Sequence, residues 1–450
     1  MWSDIATWTW TLIIYSSGII AAIDAIWHGR TSQGTLAWVL ALAVVPFIAL
    51  PLYLLFGSRK FHGYARARKA SKKAIQQLKK HQQQFYQEHI NTTPNHNISA
   101  AFRPLETLSR LPVSDNNQVQ LLINGEQTFA HIFQALDYAK HTILSQFYHI
   151  QDDNLGKRLQ NMLLEKSGQG IDVYLLYDQI GSSGLNQNYI NTLNKGGVHC
   201  SRFNPLQIQH RMQVNFRNHR KLIIIDGETC FIGGHNIGDD YLSLNPKIGH
   251  WRDTHLQIDG PATLAAQLSF IEDWYWATNI FPDLPWQPFN SGKNTKVLII
   301  PGGPADAVET ISLSFTHLIS QAQNRLWIAT PYFIPDLNVM VALKLAALKG
   351  VDVRILLPHK TDNPLVSLAT HSYVMELSKH GIQFFQYQAG FMHQKVMLID
   401  NNLSFVGSAN LDNRSLRINF ELNALIESEE IAMQVEVMLE NDLSKSRPYP

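Results

Sequence analysis

Cysteine is nearly absent from this 450-residue chain. Cys200 and Cys230 are the only two, too few for a disulfide framework and in no metal-ligand spacing, which fits a reducing compartment. Net charge is nearly absent too, +1 at pH 7, so whole-chain electrostatics point to no class of partner. No Lys or Arg precedes Arg30, and no small-x-small site follows the first apolar run, which argues against a cleaved signal peptide. Charged side chains are missing altogether between Thr35 and Gly57. Apolar residues are plentiful: at 45% of 450 residues the chain can bury one large or two ordinary cores, which excludes disorder for most of it.

The charge-free run Thr35–Gly57 is long enough to cross roughly 30 Å of hydrocarbon as a helix. Trp8–Trp27 is nearly as apolar, with Asp24 close enough to its end for the carboxylate to reach the interface. Together they read as a two-helix transmembrane hairpin over residues 1–57. The loop between them, His28–Gly34, holds one Arg, whereas Arg59–Lys80 holds nine Lys or Arg and no Asp or Glu. That bias puts the second side, both termini and the globular part in the cytoplasm. The basic run belongs to a juxtamembrane helix and linker over 58–112 that includes the polar connector Gln82–Asn97. It has a plain reading as a solvated face, but beside a span each cation is attracted to anionic lipid by about 1 kcal/mol.

The remaining chain alternates strand and helix patterns, the mark of an α/β architecture, and it does so twice. Gly170-Ile-Asp-Val-Tyr-Leu-Leu176 reappears as Gly350-Val-Asp-Val-Arg-Ile-Leu356. Tyr148-His-Ile150 reappears as Tyr332-Phe-Ile334, each followed two residues on by an acid, Asp152 or Asp336. Lys195-Gly-Gly-Val198 reappears as Lys379-His-Gly-Ile382. The repeat places one lobe at 113–288 and the other at 294–448, joined by Pro282–Lys293, each expected to be a mixed sheet flanked by helices. Two related lobes imply a pseudo-twofold arrangement, in which a site between them draws equivalent residues from each.

Each lobe carries the same chemical text. The first reads Asn218-His-Arg-Lys221-Leu-Ile-Ile-Ile-Asp226-Gly, then Gly233-Gly-His-Asn236; the second reads His393-Gln-Lys395-Val-Met-Leu-Ile-Asp400, then Gly407-Ser-Ala-Asn410. The apolar runs closed by Asp-Gly and Asp-Asn-Asn turns predict two hairpins. His and Lys, two apart on a strand, share a face, and the returning strand brings Asn236 or Asn410 near it. One such match carries little weight on its own; a second copy with the same ten-residue interval from Asp to Asn makes the functional reading compelling. Two imidazoles, two ammoniums and two carboxamides on one point suit a phosphodiester anion and its more charged transition state. Asp226 and Asp400 belong to the motif, but their parity is opposite to that of the lysines, so they read as turn residues rather than reactants.

These residues resemble the phospholipase D superfamily. Asn236-Ile-Gly-Asp-Asp-Tyr241, Trp251-Arg-Asp-Thr-His255, Pro331-Tyr-Phe-Ile-Pro-Asp336 and Asp412-Asn-Arg-Ser415, with the amino-terminal hairpin, are similar to its bacterial cardiolipin synthases. The resemblance covers essentially the whole chain. It implies covalent catalysis with a general acid: His219 attacks phosphorus to give a phosphatidyl-histidine, His393 protonates the departing alcohol, and an incoming alcohol then takes the phosphatidyl group. Pseudo-symmetry leaves the reverse assignment open. It also implies that Lys221, Lys395, Asn236 and Asn410 hold the phosphate oxygens, with Ser408 a further candidate donor whose counterpart is Gly234. No metal or cofactor is expected. An acid 28 residues after the second His orients an imidazole in this superfamily, which designates Glu421; Asp253 is the first-half candidate, at a spacing six residues longer. The implied activity is transfer between two phosphatidylglycerol molecules, releasing glycerol, by a multi-pass protein of the bacterial inner membrane working on anionic lipid. The alternatives are a phospholipase using water as acceptor and a nuclease; since the cations cluster beside the span, no nucleic-acid partner is expected. The sequence leaves the oligomeric state open.

Overall fold

The computed structural model of the chain describes residues 2–29, 32–57, 64, 99–203, 215–287, 289–360 and 364–450. The basic run 58–81, Tyr64 apart, and the connector 82–97 lie outside the described residues. The chain divides into two compact units, 1–63 with 204–216 and 64–203 with 217–450.

The first unit opens with α1 (Trp2–His28), α2 (Ser32–Val44) and α3 (Pro46–Phe56). Ala21, Ala25, Leu42, Ala49 and Tyr53 form its small core, and Gly18 packs where an added Cβ would meet the Leu42 carbonyl at 3.0 Å. Trp8, Leu12 and Ile20 face outward, as apolar side chains do in lipid. Asp24, expected near an interface, accepts a 2.5 Å hydrogen bond from the Tyr53 hydroxyl and lies 2.8 Å from His28 Nδ1. The single helix expected over Thr35–Gly57 is in fact two. Pro46 has no N–H to give the preceding turn and bars α geometry at Val45, which sits at φ −132°, ψ 58°. Among the described residues one helix, Ala6–His28, is long and apolar enough to cross a membrane.

The second unit is a mixed sheet built from two copies of one seven-strand order. The first copy runs β4 (His199–Phe203), β3 (Asp172–Asp178), β2 (Thr142–Phe147), β6 (Leu222–Ile225), β7 (Thr229–Gly233), β9 (Thr254–Asp259), β1 (Ser114–Ile123). The second runs β14 (Gln383–Tyr387), β13 (Asp352–Pro358), β11 (Arg325–Ala329), β16 (Val396–Ile399), β17 (Leu403–Gly407), β19 (Asn419–Glu427), β10 (Thr295–Gly302), with β20 (Ser446–Pro448) outside β14. They meet where β1 pairs antiparallel with β10, as a pseudo-twofold demands. Helices Asn124–Asp137, Asn154–Gly168, Gln187–Lys195 and Ala262–Thr278 flank the first copy. In the second copy Thr310–Gln321, Leu337–Leu348, Pro364–Leu377 and Glu429–Ser444 occupy the corresponding chain positions. The central strands are buried on both faces, which is why β6 and β16 are uninterrupted apolar runs rather than alternating ones. The predicted hairpins form, β6 with β7 and β16 with β17.

Candidate active site

Three two-residue strands assemble the site by crossing between the copies. β5 (Arg217–Asn218) runs parallel to the start of β19, so His219 N–H donates to the Phe420 carbonyl at 2.9 Å. β15 (Phe391–Met392) runs parallel to β8 (Trp251–Arg252), so His393 N–H donates to the Arg252 carbonyl at 2.7 Å. Each histidine is thereby set opposite the acid of the other copy. His219 Nδ1 lies 3.0 Å from both oxygens of Glu421, and His393 Nδ1 lies 2.8 Å from Asp253 Oδ2. With Nδ1–H committed to a carboxylate, the acceptor lone pair of each ring is on Nε2. β12 (Phe333–Ile334) and β18 (Leu411–Asp412), also parallel, complete the rim next to Asn410.

Burial decides the protonation states. Both carboxylates are fully buried. Desolvation alone would raise Asp253, but Lys395 and His393 pull it well below the ordinary carboxylate range; His219 and Lys221 overcome the same burial at Glu421. Desolvation lowers the imidazoles instead: His219 goes down against the pull of Glu421, and His393 falls to about 3, with Lys395 adding to the effect. Burial likewise brings Lys221 down to about 7 and Lys395 to about 8. Each ammonium also feels the carboxylates of both copies, so the two motifs share one electrostatic site. The empty site thus holds ionised carboxylates, neutral imidazoles and weakly held ammonium protons, a combination that an arriving phosphodiester anion completes. Lys221 Nζ donates to the His219 carbonyl at 2.7 Å and Lys395 Nζ to the His393 carbonyl. Aromatic rings wall the imidazoles: Tyr148 meets His219 edge-on at 5.1 Å and Trp251 lies 5.1 Å from His393.

The remaining sequence candidates sort clearly. Asn236 accepts from His149 N–H at 3.1 Å and donates to the Tyr241 hydroxyl at 3.0 Å. Asn410, three residues past the end of β17, is buried. Ser408 is a correction: its hydroxyl donates to Glu421 at 2.5 Å and its Oγ accepts from Leu422 N–H, so it holds the acid rather than a phosphate. Its counterpart is Gly234 because an added Cβ there would sit 2.0 Å from Asp253 Oδ1; the two copies brace their acids differently. Asp226 and Asp400 stand apart from the imidazoles, as parity predicts and motif membership does not. Asp226 accepts from the backbone N–H groups of Lys140, His141 and Thr142 at 2.7–2.9 Å, and Asp400 from those of Gln323, Asn324 and Arg325 at 2.7–3.2 Å. Both tie down the entry to β2 or β11, the end remote from the site by a strand of six or five residues, about 16–20 Å. Asp226→Ala is expected to lower stability by about 1–3 kcal/mol through its orphaned amides while leaving turnover per folded molecule within a few-fold. Thermal unfolding with active-site titration checks this.

Sequence reasoning missed the layer behind the histidines. Arg220 points to the opposite face from His219 and Lys221. It is fully buried and donates to Asp273 Oδ2 at 2.7 Å and to the Glu421 carbonyl at 3.1 Å. Asp273 also accepts from Tyr64, Gln146 and Asn218 at 2.5–2.8 Å. In the second copy Asp442 holds Arg252 and Gln394. No short motif marks either acid.

Residues 132–259 and 315–443 each match the family described as "Cardiolipin synthase, PLD-like domain", and 18–58 match "Phospholipase_D-nuclease N-terminal". The chain is similar to Cardiolipin synthase A of Pseudomonas entomophila strain L48, 44% identical over 437 residues that cover 97% of this chain and 91% of the relative. It is 43% identical to Cardiolipin synthase A of Pseudomonas aeruginosa strain LESB58 over 96% of this chain and 89% of the relative. In fold it resembles the solved phosphatidylserine synthase of Haemophilus influenzae Rd KW20, with a TM-score of 0.59 at 16% identity, covering 78% of this chain and 92% of that one.

Proposed function

The chain belongs to the cardiolipin synthase family of phospholipase D-like proteins, and from that premise we propose a two-step transfer between two phosphatidylglycerol molecules. The chain is a phosphatidyltransferase of the cardiolipin synthase type. The observation that carries the mechanism is the crossed pairing of His219 with Glu421 and His393 with Asp253. In the first step His219 Nε2 attacks phosphorus; the P–O bond to glycerol breaks, and His393 delivers a proton to the leaving oxygen. That proton is taken up from solvent as the substrate binds, because the phosphodiester anion raises the proton affinity of the neutral His393. In the second step His393 takes the proton from a hydroxyl of the second phosphatidylglycerol, whose oxygen attacks phosphorus and breaks the P–N bond. Lys221, Lys395, Asn236 and Asn410 surround the phosphate oxygens. Membrane attachment rests on α1 and on the α2–α3 pair, read together as a second crossing, with the cation-rich segment after Gly57 placing the catalytic unit on the cytoplasmic side.

Purified protein in mixed micelles with phosphatidylglycerol as sole lipid is expected to form cardiolipin and glycerol in equal amounts, and His219→Ala and His393→Ala to form neither. Phosphatidic acid as the main product would make it a hydrolase, and no turnover would overturn the donor.

A further inference from the structure

We propose that helices Leu337–Leu348 and Pro364–Leu377 form a membrane-inserting face that seats the rim of the active site in the lipid surface. The first helix is capped by Asp336, which accepts from Val339 N–H at 3.0 Å. It turns Leu337, Val341, Leu345 and Leu348 outward, at 45–71% exposure. The second exposes Leu365 (76%), Leu368 (70%) and Met375 (50%) and buries only Val374 and Leu377 of its 14 residues. A soluble fold has no reason to keep so apolar a surface in water.

The internal duplication supplies the control. Helix Asn154–Gly168, the counterpart of Leu337–Leu348, is likewise capped by an Asp, Asp153. Aligned on those caps, the exposed Asn154, Arg158 and Glu165 stand where Leu337, Val341 and Leu348 stand, and Met162, at the place of Leu345, is part-buried against the core instead of exposed. Helix Gln187–Lys195, the counterpart of Pro364–Leu377, exposes Gln187, Asn188, Asn191 and Lys195. The fold is therefore satisfied by polar helices at both places, and the apolar face is a property of the second copy alone.

Position and charge fix the occupant as a bilayer. Helix Pro364–Leu377 packs against β12, which pairs with β18, the strand directly after Asn410; the apolar face thus adjoins the rim of the phosphodiester site. Its single carboxylate, Glu376, is neutralised by Lys344 at 2.6 Å, while Lys349, Lys360 and Lys379 are exposed around it, the pattern of an interfacial helix pair on anionic lipid. A lipid with its phosphate in the surface layer can enter such a site without its acyl chains crossing water.

The inference rests on the lipid-transfer reading, so its test has one arm with activity and one without. In the first, full-length protein carrying Val341→Asp, Leu345→Asp, Leu365→Asp and Leu368→Asp is assayed on phosphatidylglycerol vesicles and on short-chain phosphatidylglycerol below its micellar concentration. At least a tenfold loss on vesicles with monomer turnover unchanged is expected; equal vesicle activity overturns the inference while leaving the transferase reading intact. In the second, Leu368→Cys in a Cys200→Ser background carries a fluorophore, in nanodiscs with and without brominated phosphatidylglycerol. Quenching by the bromolipid is expected whether or not the protein turns over. An unquenched probe, or one shielded only in discs holding two copies, overturns it in favour of solvent or a second chain.

Discussion

Asn in place of Asp253, and Gln in place of Glu421, are each expected to lower turnover by about 10³–10⁴-fold, the scale of loss when the carboxylate of a buried histidine–carboxylate pair becomes an amide. Each carboxylate is fully buried and fixes the hydrogen of its imidazole on Nδ1. An amide turns an N–H toward the ring and favours the tautomer with hydrogen on Nε2, which can neither attack phosphorus nor take a proton. Water cannot substitute at a site with no solvent access. Both changes conserve shape, so the variants should remain folded, and near-native unfolding temperatures would separate a tautomer effect from a packing one.

The crossed pairing makes the two variants distinguishable. Glu421 serves His219, the proposed nucleophile, and Asp253 serves His393, the proposed acid. A phosphodiester whose leaving group needs no proton, such as a nitrophenolate, should therefore restore covalent adduct formation in Asp253→Asn and not in Glu421→Gln. The opposite rescue would make His393 the nucleophile. Turnover within five-fold of the parent in both variants would end the orienting reading altogether.

This crossing is also where the sequence stopped being legible. The double motif, the two hairpins and the parity of Asp226 and Asp400 follow from local patterns, because strand period and turn chemistry act over a few residues. The choice of acid for each histidine depends on β5 with β19 and β15 with β8, pairings two residues long that join segments more than a hundred positions apart, too short to leave a period. Ser408 misled for a related reason. Its spacing matches a phosphate donor, but the neighbouring strand brings Glu421 within 2.5 Å of it first. Asp273 and Asp442 carry no spacing signal, since their partners arrive from three and two separate segments respectively, all distant in the chain. The break in the second apolar run was legible in principle: Pro46 stands in it, and uniform hydropathy hides what a missing N–H does to a helix.

The alkaline side of the pH profile is the second large effect. Burial brings Lys221 down to about 7 and Lys395 to about 8, so the charged forms that attract a phosphodiester predominate below those values and vanish above them. With hydrogen bonds to charged groups contributing about 1.5–3 kcal/mol each, kcat/KM for phosphatidylglycerol should fall by more than about tenfold between pH 6.5 and 9. The fall should appear mainly in KM, because the bound anion holds the lysines protonated in the complex. No matching acid limb is expected near neutral pH, because burial holds the attacking His219 below its ordinary value and Asp253 is held ionised. Lys221→Met should abolish its part of the alkaline limb and raise stability. The sign follows from linkage: a lysine whose folded value lies below its unfolded 10.5 costs stability wherever the unfolded chain is protonated, most of all below about pH 7. Calorimetry at pH 6 should therefore show the methionine variant unfolding at higher temperature than the parent, with a higher KM. An alkaline limb displaced to pH 10 in the parent, with a less stable variant, would mean that the carboxylates keep both ammoniums fully charged in the empty site.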